Sequence, residues 1–134
     1  MNNAANRFTN TLLEKEIKYR ILAENRVLIS IAGDNGKYDF QFIFGEDEKD
    51  VALKVFSLAK VQEEKLAEGY KLCSELNAKW RWVKFYIDSD NEITAEIDAV
   101  IEPMTTGDEC FELLLRTLDI VDKSYPEMMR LIWN

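Results

Sequence analysis

At 134 residues, 47% apolar and 31% charged, the chain can bury one real core and is too apolar to be disordered. Its net charge of −8 is uneven: residues 1–45 carry six Lys/Arg against five Asp/Glu, whereas nine acids and no base lie between Lys84 and Arg116. This excludes the clustered cations of a nucleic-acid surface, and no apolar run is long enough to span a bilayer.

The N-terminus, Met1–Arg7, lacks the apolar stretch of a secretory leader, so a single cytoplasmic domain over residues 1–134 is expected. Residues 4–18 then read as an amphipathic helix. Phe8 and Leu12 share one row, Leu13 and Ile17 the next, and Asn2 or Asn3 is placed to cap it. Tyr19–Leu22 fits either the end of this helix or the start of a sheet. Arg26–Ala32 is rich in β-branched residues and reads as a strand. Gly33-Asp34-Asn35-Gly36 follows, and Asn-Gly between apolar runs signals a hairpin turn because both residues tolerate positive φ. Residues 38–44 alternate Tyr38, Phe40, Phe42 and Phe44 with less apolar neighbours, as a strand with one aromatic face. A third strand spans 51–59 after an acidic turn. The short connections predict an antiparallel meander.

From Val61 to Lys79 the period becomes helical, with Leu66, Tyr70, Cys73 and Leu76 as the apolar stripe. Gly69 sits inside it, where it costs roughly 1 kcal/mol against alanine and so points to a close packing contact. A hairpin of strands 80–88 and 93–102 comes next. Ile93, Ala95, Ile97, Ala99 and Ile101 share one face of its second strand. The first strand is apolar on both sides: Val83, Phe85 and Ile87 point one way, Trp80, Trp82 and Tyr86 the other. Thr106-Gly-Asp-Glu109 then has the form of a capping box. It opens a helix through Cys110, Leu114, Leu118, Val121 and Tyr125, which Pro126 is expected to end or kink near residue 124. An apolar last turn, 127–133, should dock back on the body. The predicted class is α+β, in the order α-β-β-β-α-β-β-α, with a five-stranded, mainly antiparallel sheet.

The chain contains no histidine. That removes His-based nucleophilic triads and His-ligated metal sites together. Cys73 and Cys110 lie in separate helical patterns and read as buried thiols; two cysteines cannot make a structural zinc site. Gly33-x-x-Gly36-Lys37 is too short for a phosphate loop and precedes a strand instead of a helix. Asp88-Ser-Asp90-Asn-Glu92 resembles the opening of a calcium loop. However, Ile93 stands where such a loop needs glycine, and Ala99 where it needs a bidentate acid, so a solvated turn is expected. Glu96 and Asp98 fall two apart on one strand face, roughly 7 Å from strand geometry, a spacing compatible with paired catalytic carboxylates. No apolar wall beside them would raise one of their pKa values. Neither a metal nor a cofactor is expected, nor any catalytic residue.

Leu72-Cys-Ser-Glu-Leu-Asn-Ala-Lys-Trp-Arg-Trp-Val-Lys-Phe-Tyr-Ile-Asp88 resembles the YbjN family of bacterial sensory transduction regulators. The likeness continues through Ile97-Asp-Ala-Val-Ile, Gly107-x-x-Cys110-x-Glu112-Leu-Leu-Leu and Tyr125-Pro-Glu127, and covers residues 65–133 best. It implies a fold like that of type III secretion chaperones. It also implies a protein-binding or regulatory domain, a chaperone-like adaptor, and it carries over no catalytic residue. Tyr70, Trp80, Trp82 and Tyr86 are the candidate partner-binding or dimer residues, because Trp and Tyr concentrate at interfaces. A homodimer through 61–79 and 80–88 is expected, with core packing under helix 61–79 as the other reading of the tryptophans. The competing function is a small-ligand-binding domain or an enzyme built on carboxylates and aromatics.

Overall fold

In the computed structural model, which describes residues 1–134, three helices cover one face of a six-stranded antiparallel sheet. The elements are α1 (Asn3–Glu14), β1 (Arg20–Ala23), β2 (Arg26–Ala32), β3 (Lys37–Phe44), β4 (Asp50–Lys60), α2 (Leu66–Lys79), β5 (Lys84–Ile87), β6 (Glu92–Val100) and α3 (Thr106–Trp133). Strand order is β1-β2-β3-β4-β6-β5, so the last hairpin joins the meander through β6 and leaves β5 at the edge. The sheet has one strand more than the five expected. The addition is β1, four residues that are all exposed and therefore carry no alternation to read.

Register puts the apolar rows on the helix side. Val27 lies opposite Phe42, which lies opposite Leu53, which lies opposite Ile97. The Phe8 ring of α1 sits 4.4 Å from Phe42 and 6.0 Å from Phe44, fixing α1 over this aromatic row. Such fully buried rings dominate the energetics of a core this size.

Several helix boundaries differ from expectation for local reasons. Asn2 does cap α1, its side-chain oxygen accepting from the Ala5 N–H at 3.1 Å. The helix stops at Glu14, not residue 18, in a Schellman turn: Ile17 N–H bonds Leu12 C=O, Glu16 N–H bonds Leu13 C=O, and Glu16 takes φ 59°. No glycine marks this stop. In α2 the buried stripe is Gly69, Cys73 and Leu76, while Tyr70, at its flank, is exposed. A Cβ at Gly69 would come within 2.8 Å of Ile87 Cδ1, the close contact its presence suggested. The capping box does not form as expected. Thr105 is the N-cap, its hydroxyl bonding Glu109, and Thr106 donates to the Glu102 carbonyl at 2.7 Å. Helix α3 runs unbroken through Pro126 to Trp133, so residues 127–133 continue it and do not fold back.

Candidate protein-interaction surface

Helix α2 ends at Lys79, and residues 80–83 form the connection to β5, which is only four residues long. The predicted strand over 80–88 is therefore too long at its start. Trp80 and Trp82 do not lie on a sheet face opposite Val83, Phe85 and Ile87. The alternation that suggested it is real only from Val83 onward, where Val83 and Phe85 are buried.

Trp80 is half-buried against the core, with the Lys79 ammonium 5.1 Å from its ring. Its indole nitrogen is buried and has no hydrogen-bond partner. Trp82 is 47% exposed, and two guanidiniums lie against its ring, Arg81 at 5.3 Å and Arg116 of α3 at 5.0 Å. Cation–π contacts from both the connection and α3 hold this indole in place while leaving much of it in solvent. Tyr70 is 56% exposed on α2. Of the four candidate residues only Tyr86 belongs to a strand, and it points to the face the helices leave open.

On that open face Tyr86 donates to Glu96 Oε1 at 2.8 Å. Lys54 lies 3.6 Å and Lys84 4.0 Å from the same carboxylate, and Lys84 also reaches Asp98 at 3.9 Å. Burial opposes ionisation of Glu96, but the Tyr86 hydroxyl, Asp98 and the two lysines outweigh it and hold its carboxyl below the ordinary value. Burial and the neighbouring Glu96 carboxylate push Asp98 up. Tyr86 is raised to about 12, first by burial and then by Glu96. These groups neutralise one another across adjacent strands, as cross-strand pairs do.

The turn residues Asp88, Asp90 and Glu92 do gather their carboxylates within 4.8 Å. Asp88, however, is engaged by the chain itself. Its Oδ1 accepts from the Asp90 and Glu92 N–H groups at 2.9 and 3.0 Å, and its Oδ2 from the Thr94 hydroxyl at 3.1 Å. Asn91 supplies the positive φ of 60° that closes this hairpin. Burial raises the Asp88 pKa and these bonds lower it, with lowering the net result. Cys73 and Cys110 are both buried free thiols, raised by burial to about 11 and about 12.

Two polar arrangements escaped the sequence reading. Asn77 of α2 lays its amide along the outer side of β5, donating to Phe85 C=O at 3.0 Å and accepting from Phe85 N–H at 2.6 Å. Asp122 of α3 grips the β2–β3 turn. Its carboxylate accepts from Asp34 N–H at 2.8 Å, Asn35 N–H at 2.9 Å and the Tyr38 hydroxyl at 2.7 Å. Burial works against the ionised form, but the hydroxyl and the turn N–H groups prevail and keep the carboxyl below its usual value. Pro126 explains the rest. With no N–H it cannot bond the carbonyl four residues earlier, and Asn35 Nδ2 donates to that Asp122 carbonyl instead, at 2.9 Å. The helix survives its proline because a hairpin side chain takes the vacated bond.

The antiparallel six-stranded sheet with α1, α2 and α3 on one face is an α+β fold that resembles those of type III secretion chaperones. The crystal structure of the ExsC–ExsE complex superposes with a TM-score of 0.62 at 17% identity, over 96% of each chain. That of YbjN from E. coli gives 0.65 at 10% identity, over 92% of each chain. The family model YbjN, described as "Putative bacterial sensory transduction regulator", matches residues 4–130, and the chain belongs to this family. No curated protein matches it. No helix is long and apolar enough to cross a membrane.

Proposed function

We propose that this protein is a non-enzymatic, protein-binding regulatory domain, a chaperone-like adaptor working in the cytoplasm. One observation carries the reading: the fold matches, almost end to end, a chaperone solved in complex with another protein. The surface chemistry supports it. On the open face Lys54 and Lys84 neutralise Glu96 and Asp98, and the side chains left for solvent include Trp82 and Tyr70. An indole held by two guanidiniums yet half in water is a low-entropy anchor of the kind that dominates protein interfaces.

In this reading Trp82 and Tyr70 contact the partner or a second copy of the chain, and a homodimer uses the exposed side of α2 with the segment that follows. Trp80 supports Trp82 from within, and Tyr86 orders the open face. The test combines affinity capture with sedimentation. Trp82→Glu should abolish a stoichiometric protein partner, or convert a dimer to a monomer, while circular dichroism stays native. A wild-type protein that is monomeric at high concentration and instead retains a small molecule in native mass spectra would replace the adaptor with a ligand-binding domain.

A further inference from the structure

The β2–β3 turn carries the only Asn-Gly pair in the chain, Asn35-Gly36. Neither residue is there for the positive φ that such turns usually require, since no glycine and neither turn neighbour has one. Space favours Gly36, since a Cβ on it would stand 3.0 Å from both the Tyr125 ring and the Tyr38 hydroxyl and both would have to yield. At Gly33 there is less room still, with the Asp122 carboxylate 2.5 Å from where its Cβ would be. Asn35 is required by the carbonyl that Pro126 leaves free. The clamp on α3 thus imposes the dipeptide that is chemically the most prone to lose its side-chain amide.

We propose that Asn35 is a spontaneous deamidation site that the Asp122 clamp keeps shut, so that its conversion records undocking of the hairpin tip from α3. In the reaction the backbone nitrogen of Gly36 loses its proton and attacks Asn35 Cγ. The N–Cγ bond forms, the Cγ–Nδ2 bond breaks, and ammonia leaves with a proton returned by solvent. Water then opens the succinimide at either carbonyl, giving aspartate or isoaspartate. Glycine at the attacking position offers no side chain to hinder ring closure.

Each part of the clamp opposes a step. Asn35 Nδ2 is tied to the Asp122 carbonyl at 2.9 Å and Asn35 N–H to the Asp122 carboxylate at 2.9 Å, which restrains the swing of Cγ toward Gly36. The Gly36 N–H also faces the same carboxylate, whose negative charge disfavours loss of that proton. Once the tip lifts, all three restraints go together. After conversion the donor at residue 35 has become a carboxylate beside the Asp122 carbonyl and carboxylate. Redocking then sets like charges against each other at the hairpin tip, which disfavours return to the clamped state.

The test follows amide loss at Asn35 by intact mass and peptide mapping at mildly alkaline pH, with Asn25 and Asn77 as internal references. Folded wild type should convert at least roughly tenfold more slowly than the same protein in urea, as for a group exposed only by local opening. Asp122→Asn should accelerate conversion under native conditions, and Asn35→Gln should abolish it. Asn35→Asp should speed hydrogen exchange at residues 34–36 without moving exchange in β4 and β6. Equal rates in the folded and urea-unfolded wild type would overturn the proposal, even if Asp122→Asn cannot be folded. So would a folded Asp122→Asn that deamidates no faster than wild type.

Discussion

At one edge of the sheet the Asn77 amide lies against Phe85 as a single-residue substitute for a further strand; at the other, β1 runs with nothing beside it. The β5 edge also abuts α2 through Gly69 and Ile87. The β1 edge has Ile21 and Leu22, 52% and 42% exposed, and its outward backbone groups meet no other part of the chain. Unpaired edges invite pairing with other chains, and proteins commonly block them. This one blocks β5 with a side chain and leaves β1 held by its pairing with β2, which the aromatic core backs.

The largest test of that difference is to remove the backing. Phe8 is fully buried between α1 and β3, so Phe8→Ala should cost about 3–5 kcal/mol, against less than about 0.5 kcal/mol for exposed Trp133→Ala. Urea denaturation midpoints measure both. Hydrogen exchange in the variant should rise first in β1 and β2 while β5 lags. Uniform loss of protection across the sheet would mean that the two ends do not differ in what supports them.

Asp122 comes next in size. Asp122→Ala removes a buried ionised acceptor of several hydrogen bonds and should cost on the order of 2–3 kcal/mol. The wild-type Asp122 carboxylate also makes the β1–β3 end sensitive to acid. A carboxyl held below its unfolded value contributes fully above the ordinary carboxylate range, and its contribution is lost as pH falls through the folded value. The neutral Asn77 amide has no such dependence. Acidification should therefore release the amides of Asp34 and Asn35 before that of Phe85, and Asp122→Asn should flatten the acid limb of the stability curve. Simultaneous release at both places would break the comparison.

These same residues mark where the sequence was legible. Period-two and helical patterns located β2, β3, β4, β6 and both long helices, because a half-buried element writes its burial into its own spacing. Asn2 was legible as a cap for the same local reason. Pro126 was misread because the group that rescues its helix, Asn35, is far away in sequence and meets it only in the folded chain. The stop of α1 at Glu14 was missed because Glu16, not glycine, takes the left-handed conformation. Trp80 and Trp82 extended an alternation that starts at Val83, since apolar residues in a connection look like strand until the helix end is known. Asn77 and Asp122 gave no signal: an isolated polar residue in an amphipathic helix looks like any solvated position.

Asn77→Ala should cost about 1–2 kcal/mol, since it removes the partner of both the N–H and the C=O of Phe85, a residue 1% exposed. Faster exchange of the Phe85 amide would localise the change. Asn77→Asp keeps an acceptor for the N–H but loses the donor to the carbonyl, so it should fall between wild type and alanine.

The smallest effect on stability is expected at β1, and there the readout must be association. Leu22→Lys replaces a half-exposed side chain on an edge strand and should move the unfolding free energy by no more than about 0.5 kcal/mol. A lysine on an edge disfavours the approach of a second strand, through its charge and its hydration. On heating just below the transition, wild type should therefore aggregate faster than Leu22→Lys at equal stability. Asn77→Ala, which opens the opposite edge, should aggregate faster than wild type by more than its lost stability accounts for. The double variant Leu22→Lys/Asn77→Ala should return toward wild type in rate, with one edge blocked and the other open. If Leu22→Lys aggregates at the wild-type rate, β1 is not the edge through which chains meet, and its exposed Ile21 and Leu22 are ordinary surface residues.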